Sequence, residues 1–181
     1  EKEKVSLVAR MAAGKSSLEE AYAEAVAQGM PYAETLQDLG DEQFDLVHSS
    51  RPAGYCAQTL LHFGRLGANA LLDYGATCNA MPEEVAMAII SHAVNMKLDP
   101  EDPRYPIARL WKFQNVRTID GVASGKPIEI QYAIEFRAEF VAANESKGPL
   151  RNIYFKILPK GTCSIAGCLV GFPALDVSPY G

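Results

Sequence analysis

The pattern of apolar and polar residues changes near residue 55, and after that point most of it predicts β-strands. Over residues 126–136 apolar side chains occupy every second position, at Ile128, Ile130, Tyr132, Ile134 and Phe136, which is the period of a strand with one buried face. The other strand-like segments are 57–63, 70–73, 111–119, 153–158 and 165–170. Glycine-containing stretches at 64–69 and 120–125 are predicted to be turns between them. The chain is therefore predicted to be mainly β.

One principal helix is predicted to interrupt the strands. It begins near Pro82, because proline is favoured at the first helical position, and Glu83 and Glu84 suit the positive end of the helix dipole. Apolar residues then recur at helical spacing as far as Met96. Three prolines between residues 99 and 106 predict a loop after the helix. Strands and helices do not alternate along the chain, which excludes a doubly wound α/β fold.

The first fifty residues are predicted to be an α-helical lead-in. Ser17 and Glu20 have the spacing of a capping box, and Gly29 is placed to end the helix that follows. Two further short helices are predicted at 31–39 and 41–47. The stretch 49–54 has the composition of a linker. We therefore expect an acidic helical segment over residues 1–50 and a separate β-rich domain over residues 51–181.

The excess of acidic residues is confined to this lead-in. Residues 1–50 carry 4 basic and 10 acidic side chains, whereas the rest carries 13 basic and 12 acidic, within a net charge of −5. Because no basic stripe forms, nucleic acid is not an expected partner.

No apolar run approaches the roughly 20 residues that cross a bilayer, and the N-terminus lacks the apolar core of a signal peptide. A membrane is therefore not an expected partner either.

The four cysteines, Cys56, Cys78, Cys163 and Cys168, do not have the spacing of a zinc site. There is no Cys-x-x-Cys pair, and no histidine lies near the last two. A disulfide framework is not expected in a chain of this length and cysteine density. We expect free and mostly buried thiols in a reducing compartment, cytoplasmic or otherwise intracellular, and no metal or other cofactor.

The segment that carries candidate chemistry is Ala70-Leu71-Leu72-Asp73-Tyr74-Gly75-Ala76-Thr77. An apolar run ends there in an acid, and a carboxyl group at the edge of a core must be paired, hydrogen-bonded or neutralised. Gly75 and Ala76 leave room for backbone to approach that carboxyl group closely. The segment therefore predicts a rigidly held Asp73. An aspartate that only forms a turn or caps a helix is the alternative, and it corresponds to a structural β-rich module.

Three segments of the chain resemble, in order, those of retropepsin-like aspartic proteases of retroviruses and long-terminal-repeat retrotransposons. Asp73-Tyr74-Gly75-Ala76-Thr77 resembles the Asp-(Ser/Thr)-Gly-Ala loop that carries the catalytic aspartate. The hairpin tip Asp120-Gly121-Val122-Ala123 resembles the flap that closes over the substrate. Leu169-Val170-Gly171-Phe172-Pro173-Ala174-Leu175 is similar to the Ile-Leu-Gly-x-x-x-Leu segment that packs beneath the active-site loop. The resemblance covers about residues 55–176.

The resemblance implies an all-β, closed-barrel-like acid protease fold and the activity of an aspartic endopeptidase. Asp73 would be the catalytic residue, and residues 74–77 would shape the active-site loop. Residues 120–123 would contact the substrate, and Leu169, Val170 and Gly171 would support the loop. The substrate would be an extended peptide, within a polyprotein of the retroelement type.

A single chain of this kind supplies only half of an active site. Two carboxylates that share one proton perform this hydrolysis, and the chain contains one Asp-x-Gly-Ala segment. We therefore expect a homodimer with two-fold symmetry, in which each chain contributes its own Asp73.

Tyr74 departs from the family pattern, which has a small hydroxyl residue after the aspartate. In the family that hydroxyl forms hydrogen bonds across the dimer, and a phenol holds its hydroxyl several ångströms farther from the backbone. Besides the structural β-rich module, two functions stay open at this stage. One is an active protease that accommodates Tyr74, and the other is an inactive retropepsin-fold dimer that binds peptides or assembles a larger protein.

Overall fold

The computed structural model describes residues 17–30, 33–36, 44–46, 57–72, 78–120, 127–141, 144, 146–160 and 167–171. The helices in these residues are α1 (Leu18–Ala27) and α2 (Glu83–Asn95). The strands are β1 (Ala33–Leu36), β2 (Phe44–Leu46), β3 (Ala57–Phe63), β4 (Leu66–Leu72), β5 (Asn79–Pro82), β6 (Ile107–Asp120), β7 (Ile128–Val141), β8 (Arg151–Leu158) and β9 (Cys168–Val170). The prediction of a mainly β protein with one principal helix in the β-rich part is confirmed.

Six of the strands close on themselves as a barrel. Going around it, β7 pairs with β3, β3 with β4, β4 with β9, β9 with β5, β5 with β8, and β8 again with β7. Because the ring of pairings is closed, each of these six strands has a paired neighbour on both sides. The barrel agrees with the closed-barrel-like architecture expected from the sequence.

The long β6–β7 hairpin extends the sheet outward from this barrel. β6 pairs antiparallel with β7, with shifts in register between Ile107 and Arg109 and between Lys112 and Arg117. The last pair before the tip joins Ile119 to Ile128. Of the described strands, only β6 pairs with residues 128–132 of β7. This end of the hairpin is therefore an arm beyond the barrel wall.

Alternating residues of β4, β5, β8 and β9 face two hydrophobic clusters, as the two-residue period of a strand requires. The main core contains Phe63, Phe136 and Phe155, whose ring centroids lie 5.3 to 6.2 Å apart. Both helices contribute buried residues to this core. The second cluster consists of Cys78, Ala80, Phe113, Ile119, Ile128, Ile130, Ala133, Leu158 and Leu169. The barrel strands near the candidate site are thus covered on both faces.

The predicted start and end of the first helix are confirmed. The backbone N–H of Glu20 donates to the Ser17 hydroxyl over 3.3 Å, which caps the helix. Gly29 has a φ of +68°, a left-handed conformation that suits glycine after a helix. Leu18 is buried in the main core, and its N–H donates to a carboxylate oxygen of Glu83 at the start of α2 over 3.1 Å.

The two short helices predicted at 31–39 and 41–47 are wrong. β1 and β2 lie there instead, and both pair in parallel with β6. The outer edge of β6 offers unpaired backbone groups over a long strand, and pairing with that edge outweighs weak local helix propensity. Because β1 and β2 join the same sheet, the lead-in is only partly helical. The boundary predicted at residue 50 lies outside the described residues.

The predicted turn at 64–69 is also wrong. Phe63 pairs with Leu66, so only Gly64 and Arg65 form the turn, and β4 begins at Leu66. Gly64 has a φ of +68°, which permits so tight a turn. Gly67 lies within β4, where a Cβ would come within 3.4 Å of the His62 ring. This is close to an ordinary contact distance, so Gly67 is a strand residue although glycine is more typical of turns.

Candidate active site

The described residues include both ends of the candidate active-site loop but not the loop itself. Asp73, Tyr74, Gly75, Ala76 and Thr77 all lie outside the described residues, as do Gly121, Val122 and Ala123 of the predicted flap tip. Asp120 is the last residue of β6, and it pairs with Leu46 of β2. Leu169 and Val170 lie in β9, and Gly171 follows directly.

β9 lies between the two strands that lead into and out of this loop. β4 ends at Leu72, directly before Asp73, and β5 begins at Asn79, two residues after Thr77. β9 runs parallel to β4, where Leu72 pairs with Val170, and antiparallel to β5, where Ala80 pairs with Leu169. The backbone of residues 169–170 thus fixes the spacing of the strands on either side of the loop.

A glycine allows β9 to approach β4 closely. Gly167 precedes β9 with a φ of +155°, which L side chains rarely adopt. A Cβ at this position would overlap the carbonyl oxygen of Asn69 in β4. No side chain fits there without a shift of the backbone. The absence of a side chain at Gly167 therefore allows the start of β9 to lie close to β4.

Asn79 joins the far end of the loop to two other strands. Its Oδ1 accepts a hydrogen bond from the backbone N–H of Gly171 over 2.8 Å. Its Nδ2 donates to the carbonyl oxygen of Tyr154 in β8 over 3.0 Å. The residue is only 5% exposed, so these bonds satisfy a buried carboxamide. Sequence reasoning missed Asn79, and its one available sign was a polar residue between Cys78 and the apolar Ala80-Met81.

The arm of the β6–β7 hairpin packs against residues that flank this loop. Ile119, Ile128 and Ile130 belong to the second hydrophobic cluster, together with Cys78, Ala80 and Leu169. Cys78 and Ala80 follow the loop along the chain, and Leu169 lies in the strand between the loop's two ends. The hairpin that carries the predicted flap tip is therefore packed against residues that flank the predicted catalytic loop.

The thiols near the loop are poor nucleophiles. Burial raises the pKa of both Cys78 and Cys168 to about 12, so at neutral pH neither forms the reactive thiolate. Both are free cysteines, which agrees with the prediction of buried thiols, whereas Cys56 and Cys163 lie outside the described residues. These two cysteines are therefore packing residues and not candidates for nucleophilic catalysis.

A buried lysine is a second polar residue that the sequence did not single out. Lys156 is 6% exposed in β8, where it pairs with Ala80 of β5 and Ala133 of β7. A buried ammonium group requires compensating interactions, and Lys156 does have an interaction with another group. The feature of the sequence that could have indicated a buried lysine is a single charged residue within the apolar run 153–158.

Comparison of the chain with protein-family models and with curated proteins finds no match. The described helices include none long and apolar enough to cross a membrane. The family resemblance therefore depends on the three motif segments alone. The only further information on the site is the geometry of the described residues that flank the loop.

Proposed function

We propose that the chain is an aspartic endopeptidase of the retropepsin type, active as a homodimer with one catalytic Asp73 per chain. The observation that carries this proposal is the position of β9 between β4 and β5. Strand pairing and the second hydrophobic cluster connect Leu169 of the third motif with residues that flank the other two motifs in the chain, and this supports the proposal. A turn-forming aspartate would not require the Leu169–Gly171 segment or the hairpin arm to pack against the residues that flank its loop.

The proposed reaction uses the two Asp73 carboxyl groups as one unit. They share a single proton, because two carboxylates about 3 Å apart cannot both ionise. The ionised member takes a proton from water, whose oxygen attacks the peptide carbonyl carbon, while the protonated member donates to the carbonyl oxygen. Proton transfer to the leaving amine nitrogen then allows the C–N bond to break. The two apparent pKa values belong to the pair jointly.

The substrate would lie between the two Asp73 loops and the two flap tips. An extended peptide would form backbone hydrogen bonds along this groove, and a polyprotein linker is the kind of segment that offers such a conformation. The aliphatic residues of the hairpin arm, Ile119, Ile128 and Ile130, pack in one cluster with Cys78 and Ala80, which follow the loop in the chain.

Peptide cleavage tests this function. The full chain is incubated with a diverse peptide library over about pH 3–8, the span in which a shared-proton pair of carboxyl groups can work. We expect cleavage by the wild-type protein and none by Asp73→Asn, because an amide cannot act as the base. A Tyr74→Ser variant, which restores the family residue, is the matched comparison.

The variants separate the proposed function from its alternatives. If only Tyr74→Ser cleaves, Tyr74 disables the site and the wild-type chain is a non-catalytic dimer. If a confirmed dimer carrying Tyr74→Ser also fails to cleave, the protease proposal is wrong, and a binding or structural role replaces it.

A further inference from the structure

Asn79 forms a three-strand connection at the candidate active site. Its carboxamide is part of β5, accepts from Gly171 after β9, and donates to Tyr154 of β8. The two bonds use both ends of the amide group, with lengths of 2.8 and 3.0 Å. No aliphatic side chain of the same size could satisfy the N–H of Gly171 and the carbonyl of Tyr154 together.

The connection also links the two described ends of the segment 73–77. At one end, Leu72 is fixed by pairing with Val170. At the other end, Asn79 is fixed by its bond to Gly171, the residue next to Val170. Both ends of the candidate loop are therefore held by two consecutive residues of one segment. A displacement of Asn79 would change the distance that the loop has to span.

We propose that Asn79 is a positioning residue for Asp73, an inference that rests on the proposed protease function. The side chain acts through the backbone, since it holds the exit of the loop at a fixed distance from the entrance. Two carboxyl groups can share a proton only if both loops hold them within a fraction of an ångström of the productive geometry. Loosening the exit of each loop lowers the rate of the chemical step more than it weakens peptide binding.

The Asn79→Asp variant tests this role at nearly constant volume. When protonated, the new carboxyl group can still accept from Gly171 and donate to Tyr154. When ionised, it loses the donor and places negative charge against the Tyr154 carbonyl oxygen. Because burial raises the pKa of a carboxyl group, the variant is expected to approach wild-type activity at the acid end and to lose it progressively as the pH rises.

We expect kcat of Asn79→Asp to fall at least about tenfold below wild type where the new group is ionised, with KM changed far less. The matched control is Asn152→Asp, since Asn152 is an exposed asparagine of β8 that donates to Glu135 over 3.0 Å. The control should follow the wild-type pH profile. Circular dichroism at each pH restricts the comparison to folded protein, and Asn79→Ser takes the place of the Asp variant if the latter does not fold.

Hydrogen exchange of the Gly171 amide gives a readout that does not depend on cleavage. We expect it to be protected in the wild type and in Asn152→Asp, and to exchange faster in Asn79→Asp or Asn79→Ser. If the wild type cleaves peptides and the folded Asn79 variant has the same kcat and pH profile, the positioning role is wrong. If the wild type does not cleave, the protease function has failed, and the Gly171 exchange alone decides whether Asn79 holds the loop.

Discussion

Gly167 lies at the start of β9, at a position that leaves no room for a side chain. Its φ of +155° disfavours any L side chain, and the carbonyl oxygen of Asn69 occupies the place of a Cβ. The contact joins the start of β9 to β4, the strand that ends before Asp73. A single added methyl group therefore acts on the spacing of β9 and β4.

We expect Gly167→Ala to lower the free energy of unfolding by about 2 kcal/mol or more, because backbone must move to relieve the contact. Gly148→Ala is the control, since a Cβ there would lie an ordinary 3.6 Å from the Phe140 carbonyl oxygen. Urea unfolding measures both. Equal stability of the two variants would contradict the close approach of β9 to β4.

Tyr132 has a buried hydroxyl with no hydrogen-bond partner among the described residues. Its ring packs against Tyr22 at 5.7 Å between centroids. Burial first, and then the charges of Glu19, Tyr22 and Glu83, raise the pKa of the Tyr132 phenol from 10.0 to about 12. The folded state thus holds this proton more tightly than the unfolded state does.

Tyr132→Phe is expected to stabilise the protein near neutral pH by about 1 kcal/mol, since it removes an unsatisfied buried hydroxyl. The raised pKa gives the wild type a contribution to stability that is complete below pH 10.0 and is lost as the pH rises to about 12. Urea unfolding across this range should therefore show the variant's advantage growing with pH. A variant less stable than wild type at neutral pH would mean that the hydroxyl has a partner.

At the scale of elements, the lead-in is part of the same core as the barrel. Leu18 and Ala21 of α1 are buried with residues of α2 and of the barrel strands. β1 and β2 extend the sheet at the outer edge of β6. The acidic segment therefore contributes to the stability of the β-rich part and to the pairing of the hairpin that carries the predicted flap tip.

Leu18→Ala is expected to lower the free energy of unfolding by about 2–5 kcal/mol, because Leu18 is only 1% exposed in the main core. Val26→Ala on the same helix should change it little, since Val26 is 51% exposed. Chemical unfolding of the full chain should show one transition, shifted only by the first substitution. A separate early transition that Leu18→Ala alone moves would indicate an independent N-terminal domain.

The sequence predicted the elements whose pattern is strong and local. Alternation at Ile128, Ile130, Tyr132, Ile134 and Phe136 identified β7, and the Ser17 cap identified α1. The prediction from sequence was wrong at β1 and β2, because the edge of β6 with which they pair is distant in the chain. Strand pairing across such separations leaves no periodic signal in either segment.

The same distinction applies to the site. The candidate loop and the segment 169–171 were predicted from short motifs, and of the two the structure describes the segment 169–171, which forms β9 and the residue after it. Asn79 was not found, since its partners Gly171 and Tyr154 lie 92 and 75 residues away. Buried polar residues of this kind can be assigned only when the strands that surround them are known.

At the scale of the whole molecule, the proposal requires two chains for one active site. The chain contains one Asp-x-Gly-Ala segment, and a pair of carboxyl groups is needed for the chemistry. A closed two-fold dimer brings the same loop of each chain to the symmetry axis. Activity should therefore depend on both copies of Asp73 in each dimer.

Mixing wild-type chains with Asp73→Asn chains, and measuring cleavage after the subunits exchange, tests this claim most directly. If every active site needs two Asp73 carboxyl groups, an equal mixture should retain about a quarter of the activity of the same total amount of wild type. Retention of about half would mean that each chain works alone. That result, or the absence of cleavage by the wild-type protein, would contradict the proposed shared active site.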